Sequence, residues 1–359
     1  MAVRTISISE LHDLLPAALI IDVRSPGEYR HAHIPGARSL PLFEDEERKV
    51  VGTIYKQQSR EKAIKSGLDF FGVKMRRMVE ETEKLLQEKK DEHTQLSLPQ
   101  MRLNEIPVLV HCWRGGMRSA AVAWLLDVYG LNVLLLRGGY KVYRKWVRDQ
   151  FEKSYPFRVI GGYTGSGKTN VLQELARLNQ PLIDLEHLAH HKGSAFGALG
   201  LPEQPTQEFF ENKLAEALVL QSKAGTPVWL EDESQRIGNL QIPMPLWYSI
   251  RKAPVYFLDV PFEVRLNYLT KEYGIHSKEK LLNAIVRIQK RLGGLETKNA
   301  VQFLLEDNHK ECFRILLRYY DKLYLKGLHN RDNTDAQLTT IACATVNGST
   351  NAQIILDEI

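Results

Sequence analysis

The chain has 359 residues with 48 Lys and Arg against 43 Asp and Glu, which gives a formal net charge of +5. This length suits two domains, and so mild a positive charge permits a nucleic acid partner without requiring one. Three widely separated cysteines argue against a disulfide framework, and with neither a membrane-length apolar run nor a signal-peptide pattern we expect a cytoplasmic protein with no membrane partner.

Residues 1–150 alternate between strand and helix patterns. Buried-strand patterns occupy 18–24, 108–111 and 133–136, and residues 120–129 read as a helix that is apolar nearly all round. Strands that alternate with helices predict an α/β domain with a parallel sheet.

A cysteine motif follows the second of these strands. Cys112 opens the stretch Cys-Trp-Arg-Gly-Gly-Met-Arg-Ser, which leads into a helix. There, backbone N–H groups and the helix dipole favour a thiolate, and we expect Arg118 to close the cradle, with Arg114 as a second charge. This loop, Asp-Val-Arg-Ser at 22–25 and His-Ile-Pro-Gly-Ala at 33–37 resemble the rhodanese family. The resemblance implies that Cys112 carries sulfur or selenium.

A cysteine phosphatase is the rival interpretation of this loop, because Cys112 and Arg118 also have the spacing of that class. The motifs at 22–25 and 33–37 favour a rhodanese domain. One departure is Ala32, where the rhodanese pattern usually has glycine.

Between residues 44 and 105 the chain is longer than a rhodanese domain requires. A charged helix with an apolar stripe is predicted at 61–89, and a polar loop at 92–104. This insertion is either an accessory helix packed on the sheet or an arm that faces RNA.

A phosphate-binding loop opens the second half of the chain, whose domain we place at 157–330. Residues 162–169 fit G-x-x-x-x-G-K-[ST] between a strand pattern and a helix pattern. In this motif, glycines let backbone N–H groups converge on a di- or triphosphate at a helix N-terminus. The predicted phosphate ligands are Gly162, Thr164, Gly165, Ser166, Gly167, Lys168 and Thr169.

Acidic residues end two further strand patterns, at 181–186 and 227–234. Asp184, Glu231 and Asp232 are therefore candidates for metal binding or acid–base chemistry, and a magnesium ion held through Thr169 and Asp232 is one arrangement. His187, His190 and His191 lack a metal-ligand spacing. This order of elements resembles the small P-loop kinases.

Two basic stretches are candidate RNA contacts, with solvated helix faces as the competing interpretation. Their residues are Lys141, Arg144, Lys145, Arg287, Lys290 and Arg291. Residues 331–359 form a tail to which the sequence assigns no role.

Together the motifs resemble the bacterial tRNA 2-selenouridine synthase family over most of residues 10–300. Beyond the cysteine and phosphate loops, the matching stretches are 51–56, 184–186, 193–197, 231–234 and 291–294. The resemblance implies that 2-thiouridine at the wobble position of tRNAs for lysine, glutamate and glutamine becomes 2-selenouridine.

The resemblance also implies two steps. Geranyl diphosphate first alkylates the thiocarbonyl sulfur, and selenium from selenophosphate then displaces the S-geranyl group. Both are co-substrates, no tightly bound cofactor is expected, and selenophosphate synthetase is a candidate supplier. Cys112 would carry selenium as S-selanylcysteine, and Lys168 would stabilise the leaving diphosphate. The partner would be the anticodon arm of the tRNA.

Two other functional classes remain possible for this protein on the sequence alone. One is a P-loop kinase or NTPase with a rhodanese sulfur-carrier domain, which requires nucleotide turnover that depends on Lys168. The other is a non-catalytic RNA-binding module with a degenerate rhodanese domain, against which the intact Cys112 and Lys168 argue.

Overall fold

Residues 3–95, 101–222, 225–331 and 337–359 are described by the computed structural model, and they fall into two units. The N-terminal unit is Met1–Asp149 and the C-terminal unit is Gln150–Ile359. Parts of the predicted loop at 92–104 and of the tail after residue 330 lie outside the described residues.

A five-stranded sheet forms the centre of the N-terminal unit. Its strands are β1 (Arg4–Ile6), β2 (Leu19–Asp22), β3 (Arg38–Ser39), β4 (Val108–His111) and β5 (Val133–Leu136). They lie in the order β1-β5-β4-β2-β3, and every pair is parallel. All residues of β2 and β4 are buried, as expected where both faces of a parallel sheet are covered. The predicted parallel sheet is confirmed.

Among the described residues, the helices that accompany this sheet are α1 (Ile8–Leu14), α2 (Pro26–His31), α3 (Asp45–Gln57), α4 (Arg60–Gly72), α5 (Met75–Gln95), α6 (Met117–Val128) and α7 (Gly139–Phe151). Side chains of α4, α5 and α6 pack in one apolar cluster with alternate residues of β2 and β4. Both β4 and β5 are followed directly by a helix, so the cysteine loop lies at the carboxyl edge of the sheet.

The single helix predicted at 61–89 is wrong in detail. The chain turns after α4, where the Lys74 N–H donates to the carbonyl of Phe71 (2.9 Å), and α5 then starts. The turn divides the predicted apolar stripe. Phe71 and Met78 are buried, whereas Ile64 and Leu68 are exposed at 38% and 57%.

The C-terminal unit contains a second parallel sheet, with strands β6 (Phe157–Gly162), β7 (Val228–Glu231), β10 (Val255–Asp259) and β11 (Leu338–Ala342). Their order is β11-β10-β6-β7, which places the strand before the phosphate loop in the interior of the sheet. A short antiparallel pair, β8 (Arg236–Ile237) and β9 (Leu240–Gln241), lies apart from it.

The strand predicted at 181–186 is reduced to a single bridge between Leu182 and Trp229. It stops there because Asp184 caps a helix, accepting a hydrogen bond from the N–H of His187 at 2.7 Å.

The helices of the C-terminal unit are α8 (Lys168–Arg177), α9 (Leu185–Ala189), α10 (Gln207–Ser222), α11 (Met244–Arg251), α12 (Phe262–Tyr273), α13 (Lys278–Leu292), α14 (Gly294–Leu305), α15 (His309–His329) and α16 (Gly348–Asp357). They belong to two apolar clusters. Helices α8 and α16 pack with the sheet, and α12 to α15 pack on one another with Phe196. Helix α13 has the predicted apolar face, with Leu281, Ile285 and Ile288 buried.

The described part of the tail belongs to the sheet. β11 pairs with β10 along five residues, from Val255–Leu338 to Asp259–Ala342. Helix α16 then lies against α8, where a Cβ on Gly348 would be 2.6 Å from the carbonyl oxygen of Asn170. Among the helices described, none has the length and apolar character needed to cross a membrane.

Candidate functional site

The cysteine loop is held in place by the N-terminus of α7. Cys112 follows β4, and its carbonyl accepts a hydrogen bond from the N–H of Tyr140 at 2.9 Å, while that of Trp113 accepts one from Lys141 at 2.8 Å. Gly139 is required at this contact, because a Cβ there would be 2.2 Å from the Cys112 carbonyl oxygen. The loop therefore rests on α7 before it turns into α6.

The thiol of Cys112 is surrounded by groups that favour its anion. Its sulfur lies 3.2 Å from the hydroxyl of Ser119. Burial raises the pKa of Cys112, but hydrogen bonds from the Ser119 hydroxyl and N–H, the charge of Arg118 and the Arg114 N–H outweigh burial, so its pKa is lowered. This loop can stabilise a sulfur anion.

The two arginines of the motif differ in their setting. Arg118 donates to Glu28 at 2.8 Å, and its side chain is mostly buried. Arg114 is exposed, and it reaches the thiol through its backbone N–H. The predicted cradle therefore consists of the Arg118 charge, held by Glu28, and main-chain donors.

A buried ionic network lies behind the loop. Arg24 donates to Asp22 at 2.6 Å and to the carbonyl of Ala32 at 2.6 Å, and its guanidinium lies 3.8 Å from the ring centre of Tyr140. Burial lowers the pKa of His111, which lies 3.8 Å from Asp22. This network joins the 22–25 motif to β4 and α7, the two elements that hold the cysteine loop.

The phosphate loop joins β6 to α8. Gly167 is the N-cap of α8 in the left-handed conformation (φ 80°). Lys168 Nζ donates to the carbonyl of Gly162 at 3.1 Å. The hydroxyl of Ser166 is buried without a hydrogen-bond partner among the described residues, as expected where a ligand oxygen would complete the site.

The acidic residues near this loop are arranged differently from the prediction. Thr169 donates to Glu186 at 3.0 Å, and the N–H of Glu186 donates to Glu231 at 2.8 Å. Asp232 instead accepts from the hydroxyl of Tyr324 at 2.7 Å and pairs with Arg331. Both carboxylate oxygens of Asp232 bond to other side chains, and the carboxylate that Thr169 contacts is Glu186. Magnesium held through Thr169 and Asp232 therefore stays a prediction.

Three glutamates near the phosphate loop, Glu186, Glu231 and Glu233, have raised pKa values. Burial raises the pKa of Glu186, and burial with the neighbouring carboxylates Asp184 and Glu186 raises that of Glu231. The pKa of Glu233 is raised by burial and by its hydrogen-bonded neighbour Glu186. Like charges this close cannot all ionise. Glu186 and Glu233 were not among the predicted site residues, although both belong to acidic stretches visible in the sequence.

Two distant residues support the phosphate loop. The hydroxyl of Tyr324 accepts a hydrogen bond from the N–H of Gly162 at 3.0 Å. Arg265 donates to the carbonyl of Thr164 at 3.1 Å and is paired with Asp321 at 2.9 Å. Sequence reasoning missed Tyr324 and Arg265, because they are brought to the loop by helices 101 and more residues away.

The basic candidates lie on solvent-facing surfaces of two helices. On α7, Lys141 and Lys145 are exposed and Arg144 is half-buried, but Tyr140 and Tyr143 are in the core and cannot stack on bases. On α13, the exposed candidates are Arg287, Lys290 and Arg291.

The three histidines that follow the 181–186 segment do not form a metal site with other described residues. No three His, Cys, Asp or Glu side chains in the described part of the chain form a metal-binding group. His190 bonds instead to the carbonyl of Glu203 at 2.9 Å. Burial raises the pKa of Cys312 to about 12 and that of Cys343 to about 11, so both thiols are inert.

The cysteine loop on one parallel sheet and the phosphate loop on another define the chain as a rhodanese-like domain followed by a P-loop domain. Two family models agree: a rhodanese-like domain matches residues 7–145, and the tRNA 2-selenouridine synthase AAA domain matches residues 155–340.

Curated relatives match both domains together. The tRNA 2-selenouridine synthases of Bdellovibrio bacteriovorus and Shewanella piezotolerans are 32% and 34% identical, over 93% and 90% of this chain and 95% and 93% of theirs. That of Nitrosomonas europaea is 31% identical over 87% of this chain and 89% of its own length. The chain belongs to the tRNA 2-selenouridine synthase family.

Proposed function

We propose that this chain is a tRNA-modifying transferase that converts wobble 2-thiouridine to 2-selenouridine in tRNAs for lysine, glutamate and glutamine. The observation that carries the proposal is one chain with two loops whose geometry suits an anion. One is the Cys112 loop and the other is the phosphate loop. The names of the relatives support the selenium chemistry. The setting would be the cytoplasm, and the tRNA would be held by its anticodon arm.

The phosphate loop serves a first step, geranylation. The sulfur of 2-thiouridine attacks C1 of geranyl diphosphate, the C1–O bond breaks, diphosphate leaves, and the base loses its N3 proton. Lys168, the N–H groups of the loop and the Ser166 hydroxyl would stabilise the charge that develops on the diphosphate. A neutral geranyl thioether on the base is then a better leaving group than the thiocarbonyl sulfur.

Magnesium would suit this loop through Thr169, as predicted, together with Glu186 in place of Asp232. The hydroxyl of Thr169 and the carboxylate of Glu186 are oxygen ligands 3.0 Å apart. Mg²⁺ is commonly bound by one or two such groups together with phosphate oxygens of the substrate. When bound there, it would add positive charge beside the leaving diphosphate.

The Cys112 loop serves the second step, selenation. The selenium of selenophosphate adds at C2 of the base, the C2–S bond breaks and geranylthiolate leaves. Water then attacks the phosphorus, the P–Se bond breaks and phosphate is released. The lowered pKa of Cys112 and the converging N–H groups suit either a sulfur anion or a phosphate-like anion. Two points remain predictions. Cys112 carries selenium as S-selanylcysteine, and selenophosphate synthetase delivers the selenophosphate.

The decisive test uses purified full-length protein and tRNA that contains 2-thiouridine. Geranyl diphosphate and then selenophosphate are added, and the nucleosides are identified by mass spectrometry. We expect geranylthiouridine and then selenouridine. Cys112→Ser should keep geranylation and lose selenation, and Lys168→Ala should slow geranylation by roughly 100-fold or more.

Two substitutions outside both loops, Cys343→Ser and Lys322→Ala, serve as matched controls. Loss of both steps in Cys112→Ser would refute the division of labour. An unchanged nucleoside, together with ATP hydrolysis that disappears in Lys168→Ala, would favour the P-loop kinase or NTPase with a sulfur-carrier domain.

A further inference from the structure

An exposed tryptophan lies directly beside Cys112 in the N-terminal unit. Cys112 is only 3% exposed, whereas the next residue, Trp113, is 38% exposed. The Cα atoms of two successive residues are about 3.8 Å apart. The loop is also open at Gly116, where a Cβ would have no described atom beyond its chain neighbours within 4 Å. A substrate that binds next to Cys112 from the solvent side therefore has an aromatic surface available to it.

The indole of Trp113 is held on a buried support. Its ring centre lies 5.7 Å from that of Tyr140, which is fully buried. Tyr140 packs in turn against Arg24, whose guanidinium lies 3.8 Å from the tyrosine ring centre. The carbonyl of Trp113 accepts a hydrogen bond from the N–H of Lys141 at 2.8 Å. An indole that is already fixed loses little conformational freedom when a flat ligand packs on it.

Two cationic residues flank this indole. Arg114 follows Trp113 in the chain and is exposed, and Lys141, whose N–H binds the Trp113 carbonyl, is exposed at the start of α7. Proteins bind unpaired nucleotides with this combination, because the base stacks on the aromatic ring while the cations bind its phosphates. The charges therefore favour an RNA nucleotide over an apolar surface of another protein as the ligand of Trp113.

We propose that the base to be modified stacks on Trp113 when it is presented to Cys112, and that Arg114 and Lys141 bind the phosphates on either side of it. The inference rests on the proposed function, because it takes the wobble base of the tRNA as the group that reaches the cysteine loop. That base lies in an unpaired loop, so it can turn outwards, and stacking on the indole offsets the loss of its stacked neighbours. Because every base has a π face, Trp113 positions the base and does not select uridine.

The test is a double-mutant cycle between the protein and the tRNA, measured by filter binding with the full-length protein. The two probes are tRNAs that carry either 2-thiouridine or an abasic site at the wobble position. We expect Trp113→Ala to weaken binding of the thiouridine tRNA about 5-fold to 100-fold, which is the usual loss for one stacked base. Wild type and Trp113→Ala should bind the abasic tRNA equally, because the contact is already absent there. If the two losses are additive, the inference is wrong.

Further variants separate stacking from charge. Trp113→Phe keeps an aromatic face and should recover most of the affinity, and Trp124→Ala, at a site on α6 that is 54% exposed, is the matched control. Stacking releases no counterions, so the salt dependence of tRNA binding should be unchanged in Trp113→Ala. In the double variant Arg114→Ala and Lys141→Ala, the slope of log affinity against log salt should fall by about 1 for each lost phosphate contact. A slope equal to that of wild type would contradict the role given to these two cations.

The titration of the Cys112 thiol shows whether the loop stays intact in Trp113→Ala. If its midpoint moves, Trp113→Leu takes the place of that variant, because leucine fills space against Tyr140 without a flat face. It should lose the coupling to the wobble base in the same way.

The outcomes distinguish this inference from the proposed function. If wild type forms selenouridine but the cycle shows no coupling between Trp113 and the wobble base, only the inference fails. If wild type forms no selenouridine, the proposed function fails, and the binding cycle still decides the inference. If Trp113→Ala binds tRNA normally and loses selenation only when the synthetase supplies selenophosphate, Trp113 contacts that protein and the inference is overturned.

Discussion

Cys112 differs from the other two cysteines in what surrounds its sulfur. Burial raises the pKa of all three thiols. At Cys112 alone among them, a hydroxyl, main-chain N–H groups and the charge of Arg118 outweigh burial. The lowered pKa at this position is therefore produced by a few polar neighbours and not by exposure.

The hydroxyl of Ser119 should be a measurable part of this effect. Its hydrogen bond favours the thiolate, so Ser119→Ala should raise the pKa of Cys112 and move its titration to higher pH. The thiolate absorbance at 240 nm, with Cys112→Ser as the blank, measures this directly. Ser9→Ala, on α1, is the control. If the titration midpoint of Cys112 is unchanged in Ser119→Ala, the N–H groups and Arg118 are enough to lower the pKa of the thiol.

The Asp22–Arg24 ion pair is fully buried, so removal of one side chain leaves the other charge buried without its partner. Arg24→Met leaves the carboxylate of Asp22 buried without its main partner, and we expect the N-terminal unit to lose about 3–5 kcal/mol of stability. Amide hydrogen exchange in β4 gives the free energy of opening. Glu80→Gln, in the exposed pair with Arg76, should change it little. If Arg24→Met and Glu80→Gln lowered the free energy of opening equally, burial of the Asp22–Arg24 pair would not explain its contribution to stability.

The same network predicts how stability depends on pH. The folded-state pKa values of His111 and Asp22 are both lowered, so the unfolded chain binds more protons than the folded one as the pH falls. The contribution of these two residues to the free energy of unfolding should be fully present above the pKa of histidine in the unfolded chain, about 6.5. It should decrease as the pH falls below that value. Exchange in β4 measured from pH 8 to pH 4 checks this. A slope of the opposite sign would contradict it.

At the scale of elements, the end of the chain completes the phosphate-binding sheet. β11 covers the edge of β10, and α16 packs against α8, the helix that starts in the phosphate loop. The part of the chain with no sequence motif thus supports the part with the strongest one.

Truncating the packed face of α16 should therefore weaken the C-terminal unit. Ile355 is fully buried, and Ile355→Ala should cost about 2–5 kcal/mol through lost burial and the cavity left behind. Ile359→Ala, at a site that is 47% exposed, is the matched control. Hydrogen exchange should increase in β6 and β10 and stay unchanged in β4. Increased exchange in both units would mean that the two do not unfold separately.

At the scale of the whole molecule, the small positive charge includes the exposed basic faces of α7 and α13. Basic side chains that bind phosphates release counterions, so their removal lowers the salt dependence of tRNA binding. This makes the two faces testable without a structure of the complex.

Reversing the charges of Arg287 and Lys290 should weaken tRNA binding and reduce the slope of log affinity against log salt by about 1 for each phosphate that is no longer neutralised. Filter binding over a range of NaCl concentrations measures both. The matched control reverses Lys298 and Lys326, which are also exposed. If the two variants lose the same affinity for tRNA, the loss is caused by net charge and not by the α13 face. If the salt dependence of the Arg287 and Lys290 variant equals that of wild type, the α13 face does not contact tRNA phosphates.

Much of the fold was predictable because its signals are local. Apolar runs that end in glycine-rich loops marked β4 and β6, and the spacing of Cys112, Gly162 and Lys168 indicated the two loops. The errors have local causes too. Asp184 ends a strand pattern by capping a helix, and a turn at Lys74 divides a helix whose charges suggested one long element.

The sequence by itself determined the two kinds of domain, their order and the family, because each depends on residues that are close together in the chain. Only the tertiary structure decided which side chains complete the sites. Tyr324 reaches Gly162 across 162 positions, Arg265 reaches Thr164 across 101 positions, and Glu186 contacts Thr169. Such contacts depend on how helices pack, and packing of partners distant in sequence leaves no periodic signal in either segment.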